Sequence, residues 1–197
     1  GAWKMRIGVL AVQGAFAEHE SVLRRLGAEV LELRRREDIV GHSLDGLILP
    51  GGESTVMGKL LRELEMFAPL REEIEHGLPV FGTCAGMILL AKTVVNDEVR
   101  GFGCMDIAVR RNAYGRQLGS FATRAPFAGI LGEIPMVFIR APYMEAALSP
   151  QVEVLARVDG HMVAARQGHR LAVSFHPELT DDDRVHRYFL ENLVKQA

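Results

Sequence analysis

Cysteine is scarce in this chain: Cys84 and Cys104 are the only two among 197 residues. Two thiols cannot build a disulfide framework. The fold must therefore rest on a packed core, and the expected compartment is a reducing one, the cytoplasm. Long apolar runs are also missing. The stretch Val80–Ala91 is broken by Gly82, Thr83 and Gly86 and falls well short of the ~20 residues that span a bilayer, so no membrane partner is expected. Neither sign of charge dominates. The chain has 23 Lys+Arg against 25 Asp+Glu, a formal net charge of -2, and offers no strong field to a polyanion, so nucleic acid is not an expected partner. There is no internal repeat, low-complexity segment or linker. What remains is an ordinary globular composition, 48% hydrophobic and 24% charged, of a length that fits one domain. The start, Gly1-Ala2-Trp3-Lys4 before Met5, does not resemble a signal peptide. Residues 1–4 read as a cloning remnant and 5–197 as the domain.

The first half alternates strand and helix signals. Met5–Val12 is a continuous apolar run, as in a strand covered on both faces. After Gln13-Gly14, Ala15–Leu26 carries Phe16, Val22, Leu23 and Leu26 at helical spacing and stops at Gly27. Ala28–Leu33 and Leu44–Leu49 read as strands. Pro50-Gly51-Gly52 ends the latter, and Ser54 or Thr55 is the expected cap of the next helix. Met66–His76 predicts another helix, Leu78–Phe81 a short strand, and Met87–Thr93 a further helix. In the second half Phe102–Val109, Leu118–Ala122, Met136–Arg140, Val152–Val158, Met162–Arg166 and Leu171–Phe175 read as short strands, some joined by turns at Gly160 and Gly168. Arg184–Lys195 closes the chain as an amphipathic helix with Val185, Tyr188, Phe189 and Leu193 inward. The expected fold is α/β: an open, mostly parallel sheet with helices on both faces, plus a smaller antiparallel strand region.

In such sheets ligands sit beyond the carboxyl ends of the strands, and four motifs fall there. Gly82-Thr83-Cys84-Ala85-Gly86 lies between a strand and a helix. It is the cysteine form of a nucleophile elbow, whose glycines permit a sharp turn that pushes Cys84 out of the fold at a helix N-terminus, where the dipole favours thiolate. The bland alternative is a structural cysteine, which is how Cys104 reads. His176-Pro177-Glu178 follows the last strand. The proline keeps His176 extended, and residues i and i+2 then share a face. A carboxylate beside an imidazole can fix its tautomer and stabilise its charge. Alone, the pair could be a surface turn; with the elbow it completes a Cys-His-Glu triad. Pro50-Gly51-Gly52-Glu53-Ser54-Thr55 exposes backbone N–H groups that could hold an oxyanion. A phosphate-binding loop fails here, because Leu60 follows Gly58-Lys59 where Ser or Thr is required. The fourth motif, Arg110-Arg111-Asn112-Ala113-Tyr114-Gly115-Arg116 with Phe138-Ile139-Arg140-Ala141-Pro142, supplies guanidinium groups suited to carboxylates, although Arg110 and Arg116 also suit a solvated basic turn. His19, His42, His76, His161, His169 and His186 show no metal-ligand spacing and read as surface or core. No metal and no other cofactor is expected.

Taken together, the glycine loop, the elbow and the His-Pro-Glu segment resemble the class I, triad-type glutamine amidotransferases. The segments Leu10-Ala11-Val12-Gln13-Gly14-Ala15-Phe16-Ala17-Glu18-His19, Arg111–Gln117 and Phe138–Pro142 resemble, within that superfamily, the glutaminase subunits of pyridoxal 5′-phosphate synthases. The resemblance runs from Met5 to the end of the chain. It implies Cys84 as nucleophile, His176 and Glu178 as its catalytic partners, and the N–H groups of Gly52 and Ala85 as oxyanion hole. It further implies Gly52, Glu53, Ser54, Arg111, Ile139 and Arg140 as glutamine-binding positions. The implied reaction is hydrolysis of L-glutamine through a thioester, with ammonia passed to a separate synthase subunit in a hetero-oligomer. Competing readings are the glutaminase subunit of imidazole glycerol phosphate synthase, a γ-glutamyl hydrolase, and a non-catalytic binding module; intact Cys84, His176 and Glu178 speak against the last.

Overall fold

The computed structural model describes residues 4–95, 97, 101–111 and 120–197. The expected positions Asn112–Gln117, and Leu118 at the start of one expected strand, lie outside the described residues. In chain order the elements are β1 (Arg6–Leu10), α1 (Phe16–Arg25), β2 (Glu29–Leu33), α2 (Arg36–Val40), β3 (Gly46–Leu49), α3 (Ser54–Glu63), α4 (Phe67–Glu75), β4 (Val80–Thr83), α5 (Ala85–Leu90) and β5 (Ala91–Val94). There follow β6 (Met105–Arg110), β7 (Ser120–Pro126), β8 (Glu133–Ile139), β9 (Tyr143–Ala147), β10 (Glu153–Val158), β11 (His161–Gln167), β12 (Arg170–Val173) and α6 (Arg184–Tyr188).

Strands β2-β1-β3-β4-β12 form a parallel block. The sheet continues through antiparallel β11, β9 and β6 to β5, with β10 paired to β11, while β7 and β8 form a separate antiparallel hairpin. Alternation along each strand divides the core in two. Leu47, Leu49 and Val80 face the cluster built with α2 to α5, through Ile39, Met57, Leu61, Leu70 and Ile74. Ile7, Val9, Ile48, Phe81, Leu171 and Val173 face the opposite cluster, built with Leu23 of α1, the β7–β8 hairpin and the C-terminal helix. The expected α/β architecture, with covered faces on both sides of a mostly parallel sheet, is what forms.

Local expectations fail in instructive places. The helix expected over Met87–Thr93 ends at Leu90, and the chain passes directly into β5. The carbonyls of Leu89 and Leu90 are taken by the N–H groups of Phe102 (2.6 Å) and Cys104 (2.9 Å), and the following Thr93-Val94-Val95 favours strand. Helix α2 and strand β9 carry no clear signal in the sequence. The former is one and a half turns long; the latter, Tyr-Met-Glu-Ala-Ala, has no strong β pattern and is recruited by pairing with β6. The C-terminal helix continues α6 as a π-helical segment, Phe189–Val194, with Val185, Tyr188, Phe189 and Leu193 buried as expected. Among the described residues, no helix is long and apolar enough to cross a membrane.

The elbow between β4 and α5 depends on close backbone approach. A Cβ on Gly86 would lie 2.0 Å from the Leu49 carbonyl oxygen of β3, and one on Gly82 would lie 2.6 Å from the Gly86 oxygen. By contrast, a Cβ on Gly8 would meet only the ends of the Leu33 and Leu44 side chains, at 2.9 Å. Gly86→Ala is therefore expected to lower unfolding free energy by about 3 kcal/mol or more, and Gly8→Ala by about 1 kcal/mol. Urea denaturation of both variants checks the order.

Candidate active site

Cys84 occupies the residue before α5 with φ 54 and ψ -106, a left-handed φ that a non-glycine residue adopts only when its surroundings enforce it. The enforcement is visible: the Cys84 N–H donates to the Val173 carbonyl of β12 (2.9 Å), and the Cys84 carbonyl accepts from Ile88 N–H (3.2 Å). The expectation that the elbow would push Cys84 out of the fold is corrected here. The residue is 8% exposed, because Gly51 and His176 close over it. A Cβ on Gly51 would lie 2.6 Å from His176 Cε1 and 3.6 Å from Cys84 Cβ.

His176 and Glu178 meet as their spacing predicts. The 3-10 turn Pro177–Leu179 follows β12, and His176 Nδ1 lies 2.8 Å from Glu178 Oε1, with both side chains buried. Burial opposes the charged imidazole, but hydrogen bonding with Cys84 and Glu178 outweighs it and pulls the His176 pKa up to about 10. Burial likewise opposes the Glu178 carboxylate, and the neighbouring His19 and His176 overcome this to hold its pKa down at about 2. The arrangement favours a negative carboxylate and a positive imidazole beside the thiol.

The glycine loop is tied to the end of β1. The Gly51 carbonyl accepts from Ala15 N–H (3.1 Å), and the Glu53 N–H donates to Gln13 Oε1 (2.9 Å). In a trans peptide this leaves the Gly52 N–H on the side opposite Ala15. The expected cap, Ser54 or Thr55, is corrected: the cap of α3 is Glu53, whose carboxylate accepts from Thr55 N–H (3.3 Å) and Val56 N–H (2.8 Å). An extended Glu53 curls back more readily than the first helical residues can, and its charge suits the helix N-terminus. Ser54, the first helical residue, is buried with its Oγ unpartnered.

A cavity of about 490 Å³ gathers Cys84, His176, Gly52, Glu53, Ser54, Ala85, Arg111, Ile139 and Arg140 on one wall or another. Apart from Glu178, which stands behind His176, these are the positions singled out in the sequence. Ala15, Ile88, Pro142 and Leu179 complete the lining; Ala15 and Pro142 lie in segments that carry the resemblance but have no role implied for them, and Ile88 and Leu179 are apolar residues outside any motif. Arg111 is already paired, with Glu53 at 3.0 Å and Asp97 at 2.7 Å. Arg140 has φ 44 and an exposed side chain, and among the described residues it makes no ion pair. Arg110 pairs with Glu145 (2.9 Å) away from the cavity lining. His19 and His186, each read from the sequence as surface or core, are both in the core and meet there as a pair on the far side of Glu178, which neither signals alone.

The signs of the two shifts give a pH dependence. The raised pKa of His176 contributes stability that is full below about 6.5 and lost as pH rises toward about 10. The lowered pKa of Glu178 contributes stability present above about 4.5 and lost as pH falls toward about 2. Glu178→Gln is therefore expected to cost about 2 kcal/mol between roughly pH 5 and 6.5, with the difference from the unmodified protein narrowing toward pH 10. Thermal unfolding of both proteins across that range checks it.

Comparison with known proteins gives the family of the chain. Residues 9–195 match the SNO glutamine amidotransferase family. A relative from Desulfitobacterium hafniense, named pyridoxal 5′-phosphate synthase subunit PdxT, is 57% identical over 96% of this chain and 94% of its own length. One of the same name from Streptococcus pneumoniae is 57% identical over 95% and 96%. A crystal structure titled as a glutamine amidotransferase superposes with a TM-score of 0.87 at 51% identity, covering 94% of this chain and 97% of the other. With the match spanning nearly the whole chain, the protein belongs to the SNO glutamine amidotransferase family.

Proposed function

We propose that this chain, as a single amidotransferase domain from Met5 onward, hydrolyses L-glutamine to glutamate and ammonia in the cytoplasm and delivers the ammonia to a separate synthase subunit that makes pyridoxal 5′-phosphate. The observation that carries this reading is the convergence of the Cys84–His176–Glu178 series and the expected glutamine-contacting positions on one cavity. The near full-length match to relatives named as subunits of that synthase supports the partner. Nothing in the reaction calls for a metal, a cofactor, a membrane or nucleic acid.

The roles proposed here combine the family resemblance with the arrangement of these residues around the cavity. The Cys84 thiolate attacks the side-chain amide carbon, and the N–H groups of Gly52 and Ala85 receive the oxyanion, a donor of this kind contributing roughly 3 kcal/mol. His176, positively charged beside Glu178, protonates the departing ammonia as the C–N bond breaks. The now neutral imidazole takes a proton from water, which attacks the γ-glutamyl thioester and releases glutamate; the proton returns to the Cys84–His176 pair. Arg140 suits the substrate α-carboxylate, and the Glu53 carboxylate, already balanced by Arg111, suits its ammonium. The unpartnered Ser54 Oγ is available to the substrate, and Ile139 flanks it. Cys104 has no part in this: it is buried, its thiol points at the Phe102 carbonyl (3.4 Å), and burial raises its pKa.

The loop that carries the Gly52 donor is held by Gln13 and Ala15. A synthase that docks on the rim near these residues acts on the oxyanion hole directly, and so selects the productive state of the Gly51-Gly52 peptide. A Cβ on Gly52 would lie 2.3 Å from Gln13 Oε1 and 3.1 Å from Gly14 Cα, so Gly52→Ala pushes the loop off its brace and shifts the Gly52 N–H from its place.

Ammonia release from glutamine, measured with the synthase partner present and with it absent, tests the reading; stimulation by the partner is expected, and an isolated chain as fast as the complex would contradict the role given to the loop. Cys84→Ala should abolish release, while Cys104→Ser retains it. His176→Asn should be more damaging than Glu178→Gln, because the glutamate orients and does not transfer protons. Gly52→Ala should lower the stimulated rate about 10²-fold.

A further inference from the structure

Behind the carboxylate of Glu178 lies a wholly buried polar chain for which the reaction as described has no use. His19, on α1, and His186, on α6, are both 0% exposed. His19 Nδ1 lies 2.8 Å from His186 Nε2, and His19 Nε2 lies 3.2 Å from Thr83 Oγ1 and 3.2 Å from Glu178 Oε2. Phe81 packs edge-on against both rings, at 6.4 Å from His19 and 5.5 Å from His186. Two imidazoles buried among aromatic rings carry a desolvation cost that ordinary core residues would avoid.

The hydrogen positions can be deduced from what is left unpaired. His186 Nδ1 is buried and has no partner. If the proton between the two rings belonged to His19 Nδ1, a neutral His186 would carry its own proton on Nδ1, leaving a buried donor with nothing to donate to. A bare acceptor is the cheaper orphan. His186 therefore donates from Nε2–H to His19 Nδ1. Burial pushes the His186 pKa well below the usual range, in keeping with a neutral ring. His19 must then hold its proton on Nε2, the nitrogen that faces Thr83 and Glu178. The inner oxygen of Glu178 is held by His176; the outer oxygen has no hydrogen bond of good geometry, and His19 Nε2 is its polar neighbour at ion-pair distance.

We propose that His19 is a positioning residue for the amidotransfer reaction: neutral, protonated on Nε2 and locked in that tautomer by His186, it fixes the outer oxygen of Glu178 and so sets the orientation and charge of the His176 imidazole. The proposal rests on the glutaminase reading above. The other charged and titratable groups around Glu178 are His176 with Cys84 on the inner side, and Glu18 and Arg25 of α1 with Asp181 of the following loop, which line a shallow cavity outside the segment. His186 faces His19, with Arg25 beyond.

The test compares His19→Leu, which removes the donor, with His19→Gln, whose side-chain N–H can replace it, both in a Cys104→Ser background so that Cys84 is the only thiol. The readouts are glutamine turnover in complex with the synthase, and the pH dependence of Cys84 alkylation by iodoacetamide. His19→Leu should lower kcat about tenfold with KM little changed and move the alkylation inflection upward by about one pH unit, since one unit corresponds to tenfold. His19→Gln should recover most of both. A folded His19→Leu protein with unchanged kcat and unchanged inflection overturns the proposal, as does a His19→Gln protein no better than His19→Leu. Should His19→Leu not fold, nitrogen-15 spectra of the histidine rings in the unmodified protein decide: His19 and His186 both protonated on Nε2 supports the chain, and a proton on His19 Nδ1 overturns it. A protein that hydrolyses no glutamine would sink the functional reading instead, and the alkylation profile and ring spectra would still judge His19.

Discussion

A carboxylate with no exposed side-chain surface governs this molecule. Glu178 sits where burial alone would neutralise it, and it stays charged because His176 and His19 surround it. Those two histidines come from opposite ends of the chain, one on the first helix and one after the last strand of the sheet, so holding the charge requires the parallel block to be assembled. A buried ion pair of this kind adds little net stability compared with apolar packing, and breaking it is costly. Its value is chemical: it keeps a positive imidazole beside a cysteine that the elbow cannot move away.

The elbow works by a second constraint, the approach of α5 to β3. Gly86 brings the first turn of α5 against the Leu49 carbonyl, and Leu49 is the last residue of the strand that feeds the Pro50-Gly51-Gly52 loop. Cys84 and the loop proposed to hold the oxyanion are thus positioned by the same contact. Gln13 and Gly14, at the end of β1, brace that loop from the other side; a Cβ on Gly14 would lie 1.9 Å from the Gly51 oxygen. Three neighbouring strand ends, those of β1, β3 and β4, therefore act as one unit, with His176 brought in from β12, the strand beside β4.

Much of this was legible in the sequence because it is local. The turn at Gly82–Gly86, the loop at Pro50–Thr55 and the His-Pro-Glu spacing each carry their geometry in a few residues, and strand-end placement in a parallel sheet brings them together. What escaped was long-range. His19 and His186 are 167 positions apart, and each alone reads as a surface or core histidine. The end of α5 at Leu90 is set by hydrogen bonds from Phe102 and Cys104, and β9 exists because β6 is there to pair with it. The burial of Cys84 was missed for the same reason: the elbow predicts projection from the backbone, but Gly51 and His176, from other strands, close over it.

The most direct test of Cys84 as nucleophile is to catch the bond that it forms. The protein, with its synthase partner and saturating glutamine, is quenched in acid during turnover and the Cys84 peptide is analysed by mass spectrometry. The expected product is a γ-glutamyl thioester on Cys84 that disappears in Cys84→Ala along with ammonia release. Steady ammonia production by Cys84→Ala, or a glutamyl adduct on Cys104 instead, would contradict it.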